Sequence, residues 1–429
     1  MLSTKRFLNN MKSCSCSMPG VWRAVAYDKG AVVIFHSPRA CSHVAQSMDL
    51  GTYYRTYADA MQETMENVPV LTSQMLEKHT IFGGTDRLQA CLDYAVQTYH
   101  PELVVIASSC LAGVIGDDVA GVAADAEKKY GIPVIASESC GFLDGEYSQG
   151  FYEIANKIVD RYFRPVPKQP GTVLLLGDNG GPWGDYVRET VRLLNALGLK
   201  VLGQFPGYMP VRDFAGAAAA EATVLLGNKV AAHQRQTELA ERLQKEFGMA
   251  YLKDEYPVGW SGTCHWIEAM GRLLHREEAA ARVLAREQER FGQKLAAFRR
   301  IAAGTKTVLC FGRWLQFFDP ASVLETARNL QLDVQGIVLL DSYPPAEREK
   351  MAAFLRACTD LPVRSRVEAE PLVHGAELVL TTHELRDRSL RQIFLPMVPL
   401  AGTAGEIRIM GTVCRVLQSK IGRGGVVYA

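Results

Sequence analysis

No apolar run in the 429-residue chain approaches the roughly 20 residues that a membrane-spanning helix requires. The first residues, MLSTKRFLNNMKSCSC, have no apolar centre of the kind a secretory signal carries, so a cytoplasmic protein with no membrane partner is expected. Net charge is nearly absent as well: 47 Lys plus Arg stand against 46 Asp plus Glu, which gives no electrostatic reason to expect nucleic acid. There is no short-period repeat and no low-complexity tract. A phosphate-binding loop is also missing. The run Gly177-Asp178-Asn179-Gly180-Gly181-Pro182-Trp183-Gly184 neither matches Gly-x-Gly-x-x-Gly nor ends in a Walker lysine, and it reads as a tight strand-to-helix turn. A chain without such a loop does not itself couple ATP hydrolysis to work.

Cysteine, in contrast, is plentiful at ten residues, and in a reducing cytosol these are not expected to form a disulfide framework. Cys91, Cys310, Cys358 and Cys414 lie in apolar, periodic surroundings and read as ordinary core residues. Cys14, Cys16, Cys41, Cys110 and Cys140 stand beside Gly, Pro and Ser, where backbones turn.

Short apolar runs alternate with amphipathic stretches along the whole chain. Ala31–Phe35, Leu103–Ala107, Pro133–Ala136, Thr172–Leu176, Val201–Gly203, Thr223–Leu226, Thr307–Cys310, Gly336–Leu340 and Glu377–Leu380 read as strands. Between them, Asp86–Tyr99, Gly121–Tyr130, Gly184–Leu197, His233–Phe247 and Ser322–Leu330 read as helices. Alternation of this kind predicts an α/β protein of parallel sheets flanked by helices. Pro-rich joints near Arg164–Pro170 and a long charged helix over Leu274–Arg300 divide the chain into three Rossmann-like units. These are 1–166, 167–300 with the long helix, and 301–429 with a C-terminal helix. The length suits several domains, each with its own core.

Parallel sheets present ligand sites at the carboxyl ends of their strands. Three of those ends carry a cysteine: His36-Ser37-Pro38-Arg39-Ala40-Cys41, Ser108-Ser109-Cys110 and Ser137-Glu138-Ser139-Cys140. Thiolates are the natural ligands of iron–sulfur clusters, and glycines beside them allow a large inorganic core to approach the backbone. Cys14-Ser15-Cys16 adds an N-terminal loop, though a Cys-x-Cys pair alone is a weak signal. Asp117-Asp118 reads as a pair of acids at a helix N-terminus. Cys264-His265 reads as a helix start, with a metal role the lesser alternative, and His383 reads as an ordinary strand-end histidine.

Four ordered segments carry a resemblance: Cys16-Ser17-Met18-Pro19-Gly20, His36 through Cys41, Ile81-Phe82-Gly83-Gly84-Thr85-Asp86, and Ser109-Cys110 through Ile115-Gly116-Asp117-Asp118. Together they resemble the nitrogenase component 1 family, and Gly131 through Ile135, Gly141-Phe142 and Ser148-Gln149-Gly150 extend the likeness to the end of the first unit. The resemblance implies that Cys16, Cys41 and Cys110 are metal ligands, with Cys14 a rival to Cys16 and Cys140 beside the bound group. It implies a cluster, either P-cluster-like (8Fe-7S) or 4Fe-4S, shared with a homologous α-type subunit that carries the catalytic metallocluster. It also implies a separate ATP-hydrolysing iron protein and an α2β2 heterotetramer.

Glu221 through Lys229 carries no cysteine where cofactor-bearing subunits of the family supply one. The chain therefore resembles the β-type partner, a relay subunit of a nitrogenase-like reductase, with methylthio-alkane reductase one such enzyme. A non-catalytic assembly scaffold and a tetrapyrrole reductase of the F430 or protochlorophyllide type are the alternatives.

Overall fold

A computed structural model of the chain describes residues 16–47, 66–143, 145–229, 234–312, 319–340, 345–385, 390–395, 399–419 and 426–428. Ala31–His36 (AVVIFH, β1) and Leu103–Ser108 (LVVIAS, β3) are β-branched, continuously apolar runs with every position buried, as befits strands covered on both faces. With Val70–Thr72 (β2) and Val134–Cys140 (β4) they form a four-stranded sheet in the order β2-β1-β3-β4. Every pairing between named strands is parallel.

The helix Thr85–Tyr99 places Leu88, Leu92 and Ala95 on one stripe, and Val119–Tyr130 does the same with Val119, Ala123 and Ala126. Those stripes close over Val32, Ile34, Val104 and Ile106 to make the core of this sheet. The strand order reverses between β1 and β3, so their carboxyl ends, leading to Cys41 and Cys110, flank a topological switch point.

A second four-stranded sheet has the order β6-β5-β7-β8, from Gln169–Leu176 (β5), Lys200–Phe205 (β6), Ala220–Leu225 (β7) and Ala250–Tyr251 (β8). Both sheets belong to one compact unit of the chain. The other compact unit holds a six-stranded sheet, order β11-β10-β9-β12-β13-β14. Its strands are Lys306–Phe311 (β9), Asp333–Leu339 (β10), Val363–Ser365 (β11), Leu378–Thr381 (β12), Gln392–Phe394 (β13) and Val426–Tyr428 (β14). Leu309 and Phe311 of β9 pack with Leu324, Ile337, Leu355, Leu380, Ile393 and Met410 in one apolar core.

Two expectations shift. The strand expected over Pro133–Ala136 runs on to Cys140, because a bulge lets it rejoin its neighbour: Ile106 faces Ala136, yet Ser108 faces Cys140. The charged helix expected from Leu274 begins at Glu277, after a turn in which His275 takes a positive φ of 51°, and runs to Ala302. Among the described residues no helix is long and apolar enough to cross a membrane.

Candidate metal centre

The three strand ends do deliver their cysteines to one edge. Cys41 lies in the first turn of the helix Arg39–Ser47 that follows β1, and Cys110 opens the short helix Cys110–Ile115 after β3, where the Ser109 hydroxyl accepts the Ala112 N–H at 3.2 Å. Cys140 ends β4 opposite Ser108. Cys16 arrives from outside the sheet: the N–H of the next residue, Ser17, donates to the Gly141 carbonyl at 3.2 Å. All four thiols are partly buried, and none is in a disulfide. Cys14 lies outside the described residues.

Glycines set how closely these segments approach. Gly141 has φ +54°, and a Cβ there would stand 2.8 Å from the Cys110 nitrogen. A Cβ on Gly113 would fall 2.8 Å from the Cys140 Cβ and 3.0 Å from its sulfur. Cys16 is seated by the crossing of two helices, Met18–Arg23 and Tyr147–Tyr162. A Cβ on Gly20 would meet the Tyr147 carbonyl oxygen at 1.9 Å, and one on Gly150 would meet the Ser17 oxygen at 2.3 Å. Three glycines of the sequence motifs, Gly20, Gly141 and Gly150, are thus required by backbone contact.

Burial pushes the Cys41 thiol up, and the neighbouring Cys110 pushes it further in the same direction. The Cys41 thiol thus resists ionising, which a bound cation would reverse. Among the described residues no three His, Cys, Asp or Glu side chains are gathered as a site for a metal ion. What the residues offer is a rim of thiols on loops that glycines allow to pack closely, and that donor set suits an iron–sulfur cluster.

Behind the rim, sequence reading missed a buried polar link. His36, at the end of β1, has Nε2 2.8 Å from Asp117 Oδ2 and Nδ1 3.0 Å from the Ser73 hydroxyl. Asp117 also accepts the Gly84 N–H at 2.9 Å. Of the two acids expected at a helix N-terminus, only Asp118 caps one, accepting the Gly121 N–H at 2.8 Å. Burial lowers the His36 pKa, and the Asp117 carboxylate opposes that shift. The strand leading to Cys41, the Gly83-Gly84 turn and the turn after Cys110 are therefore tied at one point.

A second link holds the helix that follows Cys16. The guanidinium of Arg23 is buried and pairs with Asp178 at 2.9 and 3.0 Å, lying over the rings of Tyr27 and Tyr208 at 5.1 and 5.0 Å. Asp178 belongs to the Gly177–Gly184 turn, which joins β5 to a helix beginning at Asp185.

The remaining candidates belong to the other compact unit. Cys310 and Cys414 are buried, and burial raises the Cys310 thiol to about 12. Cys264 lies inside the helix Gly259–Leu273, its thiol raised to about 11 by burial. His383 follows β12, with Nδ1 3.0 Å from the Thr382 hydroxyl.

The rim has apolar surroundings. Val44 follows Cys41, Val114 follows Cys110, and Phe142 and Leu143 follow Cys140. All are exposed, as are Ile81 and Phe82 at the Gly83-Gly84 turn, Phe82 at 84%.

Residues 16–387 match the model of the family described as nitrogenase component 1 type oxidoreductase. The nitrogenase iron-molybdenum cofactor biosynthesis protein NifE of Clostridium pasteurianum is 25% identical over 337 residues, covering 73% of this chain and 71% of that protein. The nitrogenase molybdenum-iron protein alpha chain of Methanosarcina barkeri is 24% identical over 66% of this chain, but only 52% of its own length is spanned. The beta chain from Bradyrhizobium diazoefficiens is 24% identical over 79% of this chain and 68% of its own. A solved structure titled nitrogenase Cp1 at pH 5 shares the fold with a TM-score of 0.68 at 18% identity, covering 94% of this chain and 88% of that one.

Proposed function

Because the chain belongs to the nitrogenase component 1 type oxidoreductase family, we propose that it is a β-type subunit of a nitrogenase-like reductase. It would hold an interface iron–sulfur cluster that relays electrons from an ATP-dependent iron protein to a catalytic metallocluster in an α-type partner. Methylthio-alkane reductase is one enzyme of this plan. The observation that supports the reading is the rim itself: Cys41 and Cys110 at neighbouring strand ends with Cys140 beside them, Cys16 brought in by the Ser17–Gly141 hydrogen bond, and exposed apolar side chains following Cys41, Cys110 and Cys140. Three ligands from one chain leave a cluster incomplete, so a second chain on the apolar surface would complete it.

When bound, the cluster supplies one-electron storage at a potential set by its ligands, hydrogen bonds and burial. The chain's own residues do the rest. Cys16, Cys41 and Cys110 would hold iron, Gly113 and Gly141 let the Cys110 and Cys140 loops pack against each other, and His36 with Asp117 fixes two of the thiol-bearing loops. The β-type assignment rests on Glu221–Lys229, which offers no thiol after β7.

The similarity to NifE favours a second reading, an assembly scaffold that does not turn over substrate. Anaerobic purification with any co-purifying chain, followed by iron counting and electron paramagnetic resonance, tests both. About eight irons per interface, with a partner chain present, supports a P-cluster-like relay. About four in a symmetric pair favours the tetrapyrrole-type alternative, and no iron defeats the cluster. Substrate turnover with the partner and iron protein separates reductase from scaffold.

A further inference from the structure

The strand that ends in Cys140 is an edge strand, and its outward backbone groups are capped by side chains. Glu127 accepts the Val134 N–H at 3.1 Å, and Lys157 donates to the Ala136 carbonyl at 2.7 Å. Such capping blunts an edge that could otherwise pair with another strand. Beyond Ala136 the bulge of Ser137, Glu138 and Ser139 breaks the register with β3. One carboxylate collects the N–H groups of Glu138 and Ser139. Glu153 accepts the Glu138 N–H at 2.5 Å, the Ser139 N–H at 3.3 Å and the Ser139 hydroxyl at 2.7 Å, while Lys157 pairs with it at 3.3 Å. The Glu138 carbonyl in turn accepts the Cys140 thiol at 3.6 Å. Ser139 also faces the segment that carries Cys16: a Cβ on Gly145 would meet Ser17 at 2.6 Å and Ser139 at 3.1 Å.

We infer that Glu153 is a positioning residue, which holds the 137–139 bulge in the shape that turns Cys140 toward Cys110 and Gly113. The inference rests on the cluster reading above only for its consequence, since the clamp exists in the chain alone. A carboxylate suits the task because it accepts from several donors at once and offers none. An amide at the same place would turn a donor toward N–H groups. An aspartate would be one methylene too short.

The test uses the full chain, purified anaerobically, as wild type, Glu153→Gln, Glu153→Asp and Glu127→Gln. Alkylation by iodoacetamide is followed thiol by thiol with peptide mass spectrometry, alongside iron content and the paramagnetic resonance spectrum. Glu153→Gln and Glu153→Asp are expected to speed modification of Cys140 at least about tenfold, through local opening of the bulge. Cys310 and Cys358 should keep their wild-type rates, and Glu127→Gln, which caps the same strand away from the bulge, should leave Cys140 unchanged. An unchanged Cys140 rate in both Glu153 variants overturns the inference. So does an equal rise at buried Cys310, which would make Glu153 merely structural. If the wild type carries no iron the cluster reading fails, yet the Cys140 rates still decide the role of Glu153.

Discussion

The Nε2 of His36 lies 2.8 Å from Asp117 Oδ2, and both side chains are almost wholly out of solvent. Asp117 sets the tautomer: its carboxylate only accepts, so Nε2–H donates to it, and in the neutral ring the Ser73 hydroxyl, which also accepts the Ser37 N–H at 3.3 Å, donates to Nδ1 at 3.0 Å. A neutral imidazole thereby joins two loops of the metal edge, 81 residues apart in sequence.

The pH dependence follows from the direction of the shift. Burial lowers the His36 pKa below its ordinary 6.5, so on acidification the unfolded chain takes up a proton before the folded one does. Stability is full above about 6.5 and declines as pH falls from there toward the lowered folded value. Thermal melts of wild type and His36→Gln between pH 7.5 and 5.5 should show the wild type losing more of its stability. Asp117→Ala should cost about 1.5–3 kcal/mol at neutral pH, the worth of a hydrogen bond to a charged group, read by denaturant titration.

Cys41→Ala and Cys110→Ala should each lose cluster iron, whereas Cys358→Ala, outside the cysteine edge, should keep it. Iron per chain by colorimetric assay decides. Equal iron in all three would remove the ligand assignment.

Gly20→Ala should be poorly tolerated although it lies on a helix, where alanine is ordinarily preferred. The added methyl would sit 1.9 Å from the Tyr147 carbonyl oxygen, so the two helices must part. A loss of about 1–3 kcal/mol is expected from such overpacking. Denaturant titration measures it, and faster alkylation of Cys16 than of Cys358 would show that the seat of Cys16 has moved.

Phe82 and Phe142 are exposed at 84% and 64%, so a charge there costs the isolated chain little. Phe142→Asp should leave the melting temperature unchanged and weaken partner assembly by about 2 kcal/mol or more, as loss of an interface anchor does. Analytical ultracentrifugation of the co-purified complex reads the effect. Intact assembly with both Phe82→Asp and Phe142→Asp would show that the apolar rim is not the covered face.

Much of the fold was legible in the sequence because buried parallel strands are continuous apolar runs and the helices between them carry a 3.6-residue stripe. β1 and β3 are examples, each found within a residue of its expected end. Val70–Thr72 and Val363–Ser365 were not, since three residues carry no periodicity. The convergence of Cys41, Cys110 and Cys140 was legible too, because parallel strands that neighbour one another must end on the same side.

By itself the sequence determined the parallel α/β architecture and which strand ends bear thiols, since both depend on local patterns. Only the tertiary structure decided which groups support those thiols. Asp117 reads as a helix-end acid until the fold brings His36 to it, and Glu153 meets the bulge of β4 only because its helix packs beside that strand. Arg23 and Asp178 are 155 residues apart, and nothing near either one names the other. Side-chain hydrogen bonds over such separations follow from the packing of whole elements, and no local pattern encodes them.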